Sequence, residues 1–275
     1  MKDHIETFIA FGDNHGEIVH KPTADALVKH IKKGFMGRPF KHRIHLGDCF
    51  DAKNWRKGAS KGDREGSLAQ DKAAGLEFIW RTKPTVFLLG NHDDRILITE
   101  EERLGAESDY AADFKKSLLA MLKKVGCKHL LPYNKKHGKW KLGPITFIHG
   151  AKAGQAAVRD SAKEYNCECL IMGHLHRIHR ENVNKEDGCV GISAGCIGDI
   201  DLMEYAKNYS SVLTWGNGWV YGYWNKKTGN WRVFEAFPED GVYHVVTGYV
   251  PLTFIESKIS KYKRTKPSEF LKHKQ

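Results

Sequence analysis

The sequence has no long hydrophobic run, since no apolar stretch approaches the roughly 20 residues that a membrane-spanning helix needs. The short apolar stretch near the N-terminus leads directly into a polar motif at Gly12, which argues against a signal peptide. The six cysteines include no C-x-x-C pair, which argues against a structural zinc site and indicates reduced thiols. We therefore expect a cytoplasmic protein without a membrane segment.

Internal repeats and low-complexity segments are also absent from the chain. Its 275 residues, 41% of them hydrophobic, are enough to bury a sizeable core. We expect a single domain over residues 1–255, followed by a lysine-rich basic tail at 256–275. Lysine and arginine number 44 against 33 aspartates and glutamates, a formal net charge of +11. Such an excess favours a polyanionic partner such as nucleic acid, and the alternative is a basic surface that serves only solubility.

Short apolar strands alternate with amphipathic helices over most of the chain, which is typical of an α/β fold. Apolar residues at i, i+3, i+4 and i+7 predict a helix around residues 24–31. A second helix is predicted to begin with Ser108 as its N-cap and to end at Gly126. The further helices that we predict cover 68–81 and 155–165.

Aromatic and β-branched residues dominate after residue 188, where the alternation with helices ends. Residues 219–224 and 231–237 flank a polar turn and predict a β-hairpin. A last strand is predicted at 242–250.

Five predicted strands each end in a polar cluster. They cover 7–11, 43–46, 85–89, 145–148 and 169–172. The clusters are, in chain order, Gly12-Asp13-Asn14-His15-Gly16, Gly47-Asp48-Cys49-Phe50-Asp51, Gly90-Asn91-His92-Asp93, His149-Gly150 and Gly173-His174-Leu175-His176. In open α/β sheets, ligands bind at the carboxyl ends of the strands, so we expect these side chains to meet.

The donor chemistry of these clusters indicates metal binding. Carboxylate, amide and imidazole donors without thiolate suit Mn²⁺, Fe, Zn²⁺, Ni²⁺ or Co²⁺. Their number exceeds what one ion needs, whereas two ions that share a carboxylate would use them all. Any one motif could serve a structural role, but five in order, each after an apolar strand, are hard to explain in that way.

The set D-x-H, G-D-x-x-D, G-N-H-D, H-G and G-H-x-H resembles the calcineurin-like metallophosphoesterase superfamily, over roughly Phe8 to Arg177. The resemblance implies a four-layer α/β fold, in which two mixed β-sheets pack as a sandwich flanked by helices. It also implies two metal sites that share Asp48 as a bridge. One would use Asp13, His15, Asp48 and His176, and the other Asp48, Asn91, His149 and His174.

The resemblance further implies a catalytic pair. His92 would lie beside the substrate phosphate and stabilise or protonate the leaving oxygen, while Asp51 would orient the His92 ring. Two divalent ions, for which we expect Mn²⁺, would lower the pKa of a water held between them, and the resulting hydroxide would attack phosphorus.

Departures from the phosphoprotein phosphatases point to other branches of this superfamily. Those enzymes resemble G-D-x-V-D-R-G and R-G-N-H-E, whereas here Ala52 follows Asp51, Leu89 precedes Gly90, and Asp93 stands in place of the glutamate. The motifs are closer to those of repair nucleases and phosphodiesterases, and the chain also resembles bacteriophage phosphoesterases. We expect hydrolysis of phosphodiester bonds in nucleic acid or nucleotides. The alternatives are a phosphomonoesterase or small-molecule phosphodiesterase, and a non-catalytic polyanion-binding protein.

A basic loop at 51–67 begins at the second motif and supplies candidate substrate contacts. Arg56 and Lys57 would follow substrate phosphates, and Trp55 would stack on a base unless it packs into the core. Arg95, shortly after Gly90-Asn91-His92-Asp93, is a further phosphate candidate, with an ion pair to a neighbouring acid as the alternative.

Overall fold

The structure, a computed structural model, describes residues 4–56, 59, 61, 66–184, 188–203 and 210–246. The predicted basic tail at 256–275 lies outside these residues, as do Lys57 and residues 247–250 of the predicted last strand. The single domain predicted over 1–255 stays a prediction. None of the helices within the described part of the chain has the length and apolar character to cross a membrane.

The strands of the described residues form two large mixed sheets and a small hairpin. They are β1 (Ile5–Phe11), β2 (His42–His45), β3 (Val86–Leu88), β4 (His129–Leu131), β5 (Lys139–Leu142), β6 (Ile145–Ile148), β7 (Cys169–Met172), β8 (Ile178–Val183), β9 (Cys189–Ala194), β10 (Trp219–Asn225), β11 (Trp231–Ala236), β12 (Pro238–Glu239) and β13 (Val242–Tyr243).

The two large sheets face each other and bury a hydrophobic core between them. The first has the order β11-β10-β1-β2-β3-β4, with β1 to β4 parallel to one another and β10 and β11 antiparallel. The second has the order β5-β6-β7-β9-β8, with β6, β7 and β9 parallel and the two edge strands antiparallel. Phe8 of the first sheet meets Phe147 of the second edge to face, with ring centroids 5.3 Å apart.

Helices cover the outer faces of both sheets. They are α1 (Lys21–Lys33), α2 (Leu68–Thr82), α3 (Asn91–Glu102), α4 (Ala106–Val125) and α5 (Ala157–Ala162), with short 3-10 turns at Gly16–Ile18, Lys53–Trp55, Ile200–Leu202 and Ser210–Thr214. The first four pack their apolar residues on the first sheet, and α5 packs on the second. The predicted α/β fold of two mixed sheets flanked by helices is confirmed.

Two helix predictions need correction. Ser108 does not cap α4, because the helix begins at Ala106 after Gly105, and the Ser108 hydroxyl donates to the carbonyl of Glu100 in α3 instead. The helix predicted at 155–165 is shorter and covers only Ala157–Ala162. Gly126 does end α4, in a left-handed conformation with φ of 77°.

The hairpin predicted at 219–224 and 231–237 is present as β10 and β11, which pair antiparallel at the edge of the first sheet. Of the last predicted strand, the described residues contain only the two-residue β13, which pairs with β12. This arrangement leaves the carboxyl ends of β1, β2, β3, β6 and β7 to carry the polar clusters.

Candidate metal centre

The predicted donor side chains lie where strands of both sheets end, so the site is assembled across the sandwich. Five strands contribute them: β1 (Asp13, His15), β2 (Asp48), β3 (Asn91), β6 (His149) and β7 (His174, His176). Asn91 is the first residue of α3, and its N-cap Gly90 is one of the two residues between β3 and the helix.

Four side chains form a first donor set, which consists of Asp13, His15, Asp48 and His176. One ligand atom from each lies within 4.8 Å of the others. Nε2 of His176 is 3.0 Å from Nε2 of His15 and 3.3 Å from Oδ1 of Asp13. All four residues are buried, with at most 3% of their surface exposed. Two carboxylates and two imidazoles at this spacing suit one divalent transition metal.

A second donor set shares Asp48 with the first and adds His149 and His174. Nε2 of His149 lies 3.4 Å from Oδ2 of Asp48 and 3.0 Å from Oδ1 of Asn91, so the amide predicted as a ligand joins this set. The rings of His149 and His174 are in contact, with centroids 5.2 Å apart. The structure therefore brings all seven predicted donors together in two groups that meet at Asp48.

The hydrogen bonds of His149 indicate that the acceptor atoms around its Nε2 suit a cation. Nδ1 of His149 lies 2.9 Å from the carbonyl oxygen of Leu46, to which it donates, so Nε2 of the neutral ring is an acceptor. That acceptor faces the Asp48 carboxylate and, in the Asn91 orientation shown, an amide oxygen. Three acceptors that converge are stabilised by positive charge between them, and a histidine whose other nitrogen binds a carbonyl is the usual arrangement of a metal ligand.

The electrostatics of the cluster agree with that geometry. Burial alone would lower the pKa of His149, but the carboxylates of Asp48 and Asp13 outweigh it and raise the pKa to about 9. The cluster thus attracts positive charge strongly, and a metal ion would compete there with a proton. The donor types, their spacing and their charge all fit a divalent metal.

The backbone at the donors is unusual. Asp13, His15, Asp48, His174 and His176 all have positive φ values, between 48° and 70°. Left-handed conformations are uncommon for residues other than glycine, and they concentrate at functional sites, where the surrounding structure enforces them.

Close backbone approach also needs glycine beside the donors. A Cβ on Gly90 would lie 2.1 Å from Oδ1 of Asp48, and a Cβ on Gly47 would lie 2.6 Å from Nδ1 of His149. The glycines of the motifs therefore let the chain pass close enough to pack against the donor atoms.

His92 lies beside the first donor set and is held by Asp51. Its Nδ1 is 2.9 Å from Oδ1 of Asp51 and 2.9 Å from the Asp51 backbone oxygen. Its Nε2 lies 3.8 Å from Oδ2 of Asp48, and its ring packs edge to face on His15 at 4.6 Å. Burial lowers the pKa of His92, but Asp48 and Asp51 outweigh this effect and raise it above its usual value. Burial likewise raises the pKa of Asp51, but His15 and His92 hold it well below its usual range.

Comparison with known protein families agrees with this site. The family model for the calcineurin-like phosphoesterases matches residues 6–178, which include all five motifs. The chain belongs to the calcineurin-like phosphoesterase family. No curated protein matches the sequence.

Solved structures of two vacuolar protein sorting proteins are similar to this calcineurin-like phosphoesterase. Vacuolar protein sorting 29 from Cryptosporidium parvum is 11% identical and covers 89% of this chain and 97% of its own, with a TM-score of 0.44. Vps29 from Entamoeba histolytica, complexed with Zn²⁺, is 13% identical and covers 86% of this chain and 96% of its own, with a TM-score of 0.43.

Two buried carboxylates outside the donor sets hold the loops of this phosphoesterase in place. Asp93 accepts hydrogen bonds from the amides of Cys49, Phe50 and Gly90, which ties the second motif to the start of α3. Asp71 of α2 accepts from the amides of Asp51 and Ala52, at 3.0 Å each. Burial raises the pKa of Asp71 to about 6.

The sequence interpretation assigned no role to Asp71. The signal was present, because Asp71 shares the buried face of α2 with Gly75, Phe78 and Ile79. An acid on the apolar face of a helix is seldom fully buried unless it has partners.

The structure agrees less with the predicted substrate contacts than with the predicted metal donors. Trp55 does not stack on a ligand, because it is only 6% exposed and packs against Tyr110 and Phe114 in the core. The alternative in which Trp55 packs into the core is correct. Lys57 lies outside the described residues, and Arg56 is half-buried at the end of the Lys53–Trp55 turn.

Arg95 lies against the Asp51–His92 pair. Its Nη1 donates to the Asp51 backbone oxygen at 3.0 Å and lies 3.1 Å from Nδ1 of His92. The Arg95 charge lowers the pKa of His92, although burial and the two neighbouring carboxylates have larger effects.

Proposed function

We propose that this chain is a binuclear metal-dependent phosphoesterase that hydrolyses phosphodiester bonds in nucleic acid or nucleotides. The observation that carries the proposal is that Asp48 belongs to both donor sets. A carboxylate shared in this way is the arrangement expected where two ions act on one phosphate. Family membership supports phosphoester hydrolysis as the reaction class.

Seven side chains would hold the two ions, in the groups that meet at Asp48. Mn²⁺ is the ion that we propose, because carboxylate, amide and imidazole donors without thiolate suit it, as they also suit Fe, Zn²⁺, Ni²⁺ and Co²⁺. When bound, such ions neutralise phosphate oxygens and lower the pKa of water. Five of the seven donors are buried, and the low local dielectric would strengthen the attraction between bound ions and a phosphate.

His92 supplies the proton that the leaving oxygen needs. Asp51 occupies Nδ1 of the ring, so the transferable proton resides on Nε2, on the side that faces Asp48. Burial lowers the pKa of His92, but Asp48 and Asp51 outweigh this effect and raise it, which favours the protonated ring that a general acid needs. Asp71 supports this pair indirectly, since it holds the amides of Asp51 and Ala52.

The net charge of +11 supports a polyanionic substrate. Lys57 and the tail at 256–275, which carry part of this charge, are proposed contacts that lie outside the described residues. Arg56 and Arg95 are the proposed phosphate contacts within them.

A phosphomonoesterase or small-molecule phosphodiesterase is the second candidate, and one observation favours it. Trp55, the aromatic residue expected to stack on a base, is buried in the core. A site without that contact suits a small ester as well as a polymer.

A panel of metals and substrates tests the proposal. The protein would be stripped of metal, reloaded with Mn²⁺, Mg²⁺, Ni²⁺ or Zn²⁺, and assayed on chromogenic mono- and diesters, cyclic nucleotides, RNA and DNA. Hydrolysis of diesters and oligonucleotides would support the proposal. Hydrolysis of small esters alone would favour the second candidate, and no turnover with any metal would exclude both.

A salt series separates the polymer from the small substrate. If phosphate contacts drive binding, the apparent affinity for an oligonucleotide should fall steeply with salt, because each contact releases counterions. Deletion of residues 256–275 should weaken oligonucleotide binding and leave hydrolysis of a small chromogenic diester unchanged. Equal salt dependence for the full-length and truncated proteins would show that the tail does not contribute to oligonucleotide binding.

A further inference from the structure

A cavity of about 370 Å³ lies next to the second donor set. His149 is part of its wall, and the same side chain places Nε2 3.4 Å from Oδ2 of Asp48. A ligand in the cavity would therefore contact the residue that helps to form the metal site. The volume falls within the roughly 300–1,000 Å³ that is typical of pockets for small ligands.

The walls of this cavity suit a flat ring. Ile148 is a buried residue of its lining, and Gly150 and Ala151 present little more than backbone. Tyr133 and Tyr165 are half-buried in the wall, and the Tyr133 ring packs edge to face on His149 with centroids 5.7 Å apart. Aromatic walls of this kind bind the faces and edges of planar groups.

The charged groups of the lining favour an anionic ligand. Lys135 and Lys152 both form ion pairs with Glu164, at 2.9 Å and 2.6 Å, and the three side chains remain partly exposed. Two cations and one anion leave a net charge of +1 at this side of the donor sets. A ligand that carries a phosphate is attracted here, whereas a neutral aromatic ring gains nothing from the charge.

We infer that the cavity binds the base of a nucleoside phosphate ester whose phosphate lies on the two donor sets. The inference rests on the proposed function, because the phosphate must be held at the metal centre. A base within a duplex cannot enter such a cavity without leaving its stack. The substrate is therefore a mononucleotide ester or an unpaired nucleotide of a strand.

Two esters with the same leaving group test the inference. Thymidine 5′-(p-nitrophenyl phosphate) and methyl p-nitrophenyl phosphate release the same chromophore and differ only in the group that would fill the cavity. We expect the KM of the nucleoside ester to be about tenfold lower or more, as stacking of one base on aromatic side chains allows.

The variant Ala151→Trp fills the cavity, and Ala153→Trp is its matched control. Ala153 is exposed two residues further along the same loop and does not line the cavity. Ala151→Trp should bring the ratio of kcat/KM for the two esters close to one, and Ala153→Trp should leave the ratio at its original value. A ratio near one in the unmodified protein, or one that Ala151→Trp does not change, would overturn the inference while the phosphoesterase activity stands.

A binding measurement decides the inference even without turnover. Calorimetry on the metal-loaded His92→Ala protein would compare thymidine 5′-monophosphate with methyl phosphate. Tighter binding of the nucleotide, lost in the double variant with Ala151→Trp, supports the cavity as a base site. Equal binding of the two compounds overturns it. Failure of the proposed function would be recognised separately, as the absence of hydrolysis of both esters.

Discussion

Oδ1 of Asp51 lies 2.9 Å from Nδ1 of His92, and the Asp51 backbone oxygen lies at the same distance from the same nitrogen. One residue thus fixes the rotation of the imidazole with two acceptors. The opposite nitrogen, Nε2, is left on the side of Asp48. In the proposed mechanism, this relationship gives the proton of His92 a defined direction.

His92→Ala should slow turnover by roughly 10²–10⁴-fold, the usual contribution of a general acid. Both metal ions should stay bound, because His92 belongs to neither donor set that contains Asp48. The loss should shrink for esters with good leaving groups, since these depart without a proton. Steady-state kinetics over a series of leaving groups measures the effect, with His129→Ala at the exposed strand β4 as the control. Equal losses across the series would contradict the acid role.

Asp48→Asn should lose both activity and most of the bound metal, because one carboxylate serves both donor sets. Elemental analysis of the purified variant measures the metal, and Asp109→Asn at an exposed site on α4 is the matched control. Two ions retained at full occupancy in Asp48→Asn would exclude the bridging role.

Asp71→Ala should both destabilise the protein and slow turnover. It leaves the amides of Asp51 and Ala52 without their acceptor, and each unsatisfied buried amide costs about 1–3 kcal/mol. Asp71→Asn keeps one acceptor oxygen, so its stability and turnover should lie between those of the unmodified protein and those of Asp71→Ala. Urea unfolding and kcat would be measured together for both variants. Full stability and activity in Asp71→Ala would show that the loop holds Asp51 without help from α2.

His30 should make the protein less stable at mildly acidic pH. Burial lowers its pKa from the usual 6.5 to about 4, and Nδ1 accepts a hydrogen bond from the indole of Trp219. The unfolded chain takes up a proton near pH 6.5 and the folded chain only near pH 4. The stability that neutral His30 preserves is therefore complete above pH 6.5 and is lost as the pH falls towards 4, in total about 3 kcal/mol.

The non-titrating variant His30→Gln is the comparison for this effect. Between pH 7 and pH 4.5, the free energy of unfolding of the unmodified protein should fall by about 2–3 kcal/mol more than that of the variant. Urea unfolding at the two pH values measures the difference. Equal losses in the two proteins would mean that the pKa of His30 is the same in the folded and unfolded states.

The sequence predicted the site better than its surroundings, and the reason is geometric. β6 and β7 have the predicted boundaries, and the residues that follow them reach the donor sets because parallel strands end on the same edge of a sheet. The contacts between His149 and Asp48 then follow from the packing of one sheet on the other. The motifs in the sequence and the topology of the sheets therefore predict the same position for the site.

The failures concern residues whose environment comes from distant parts of the chain. Trp55 lies in a basic loop, yet Tyr110 and Phe114 of α4 enclose it, and nothing in the loop itself indicates that contact. Ser108 satisfies the preference for an N-cap, but α4 starts earlier, since Gly105 reverses the chain with φ of 66° and Ser108 bonds to α3. Tertiary contacts override local preference in both cases.

The left-handed backbone of five donor residues puts function and stability in opposition. Most residues lose roughly 1–2 kcal/mol in this conformation, whereas glycine, asparagine and aspartate lose less. His174 has φ of 70° and is only half-buried, so His174→Asn should raise the melting temperature of the metal-free protein while it weakens metal binding. Selection for thermal stability alone would therefore act against histidine at this position.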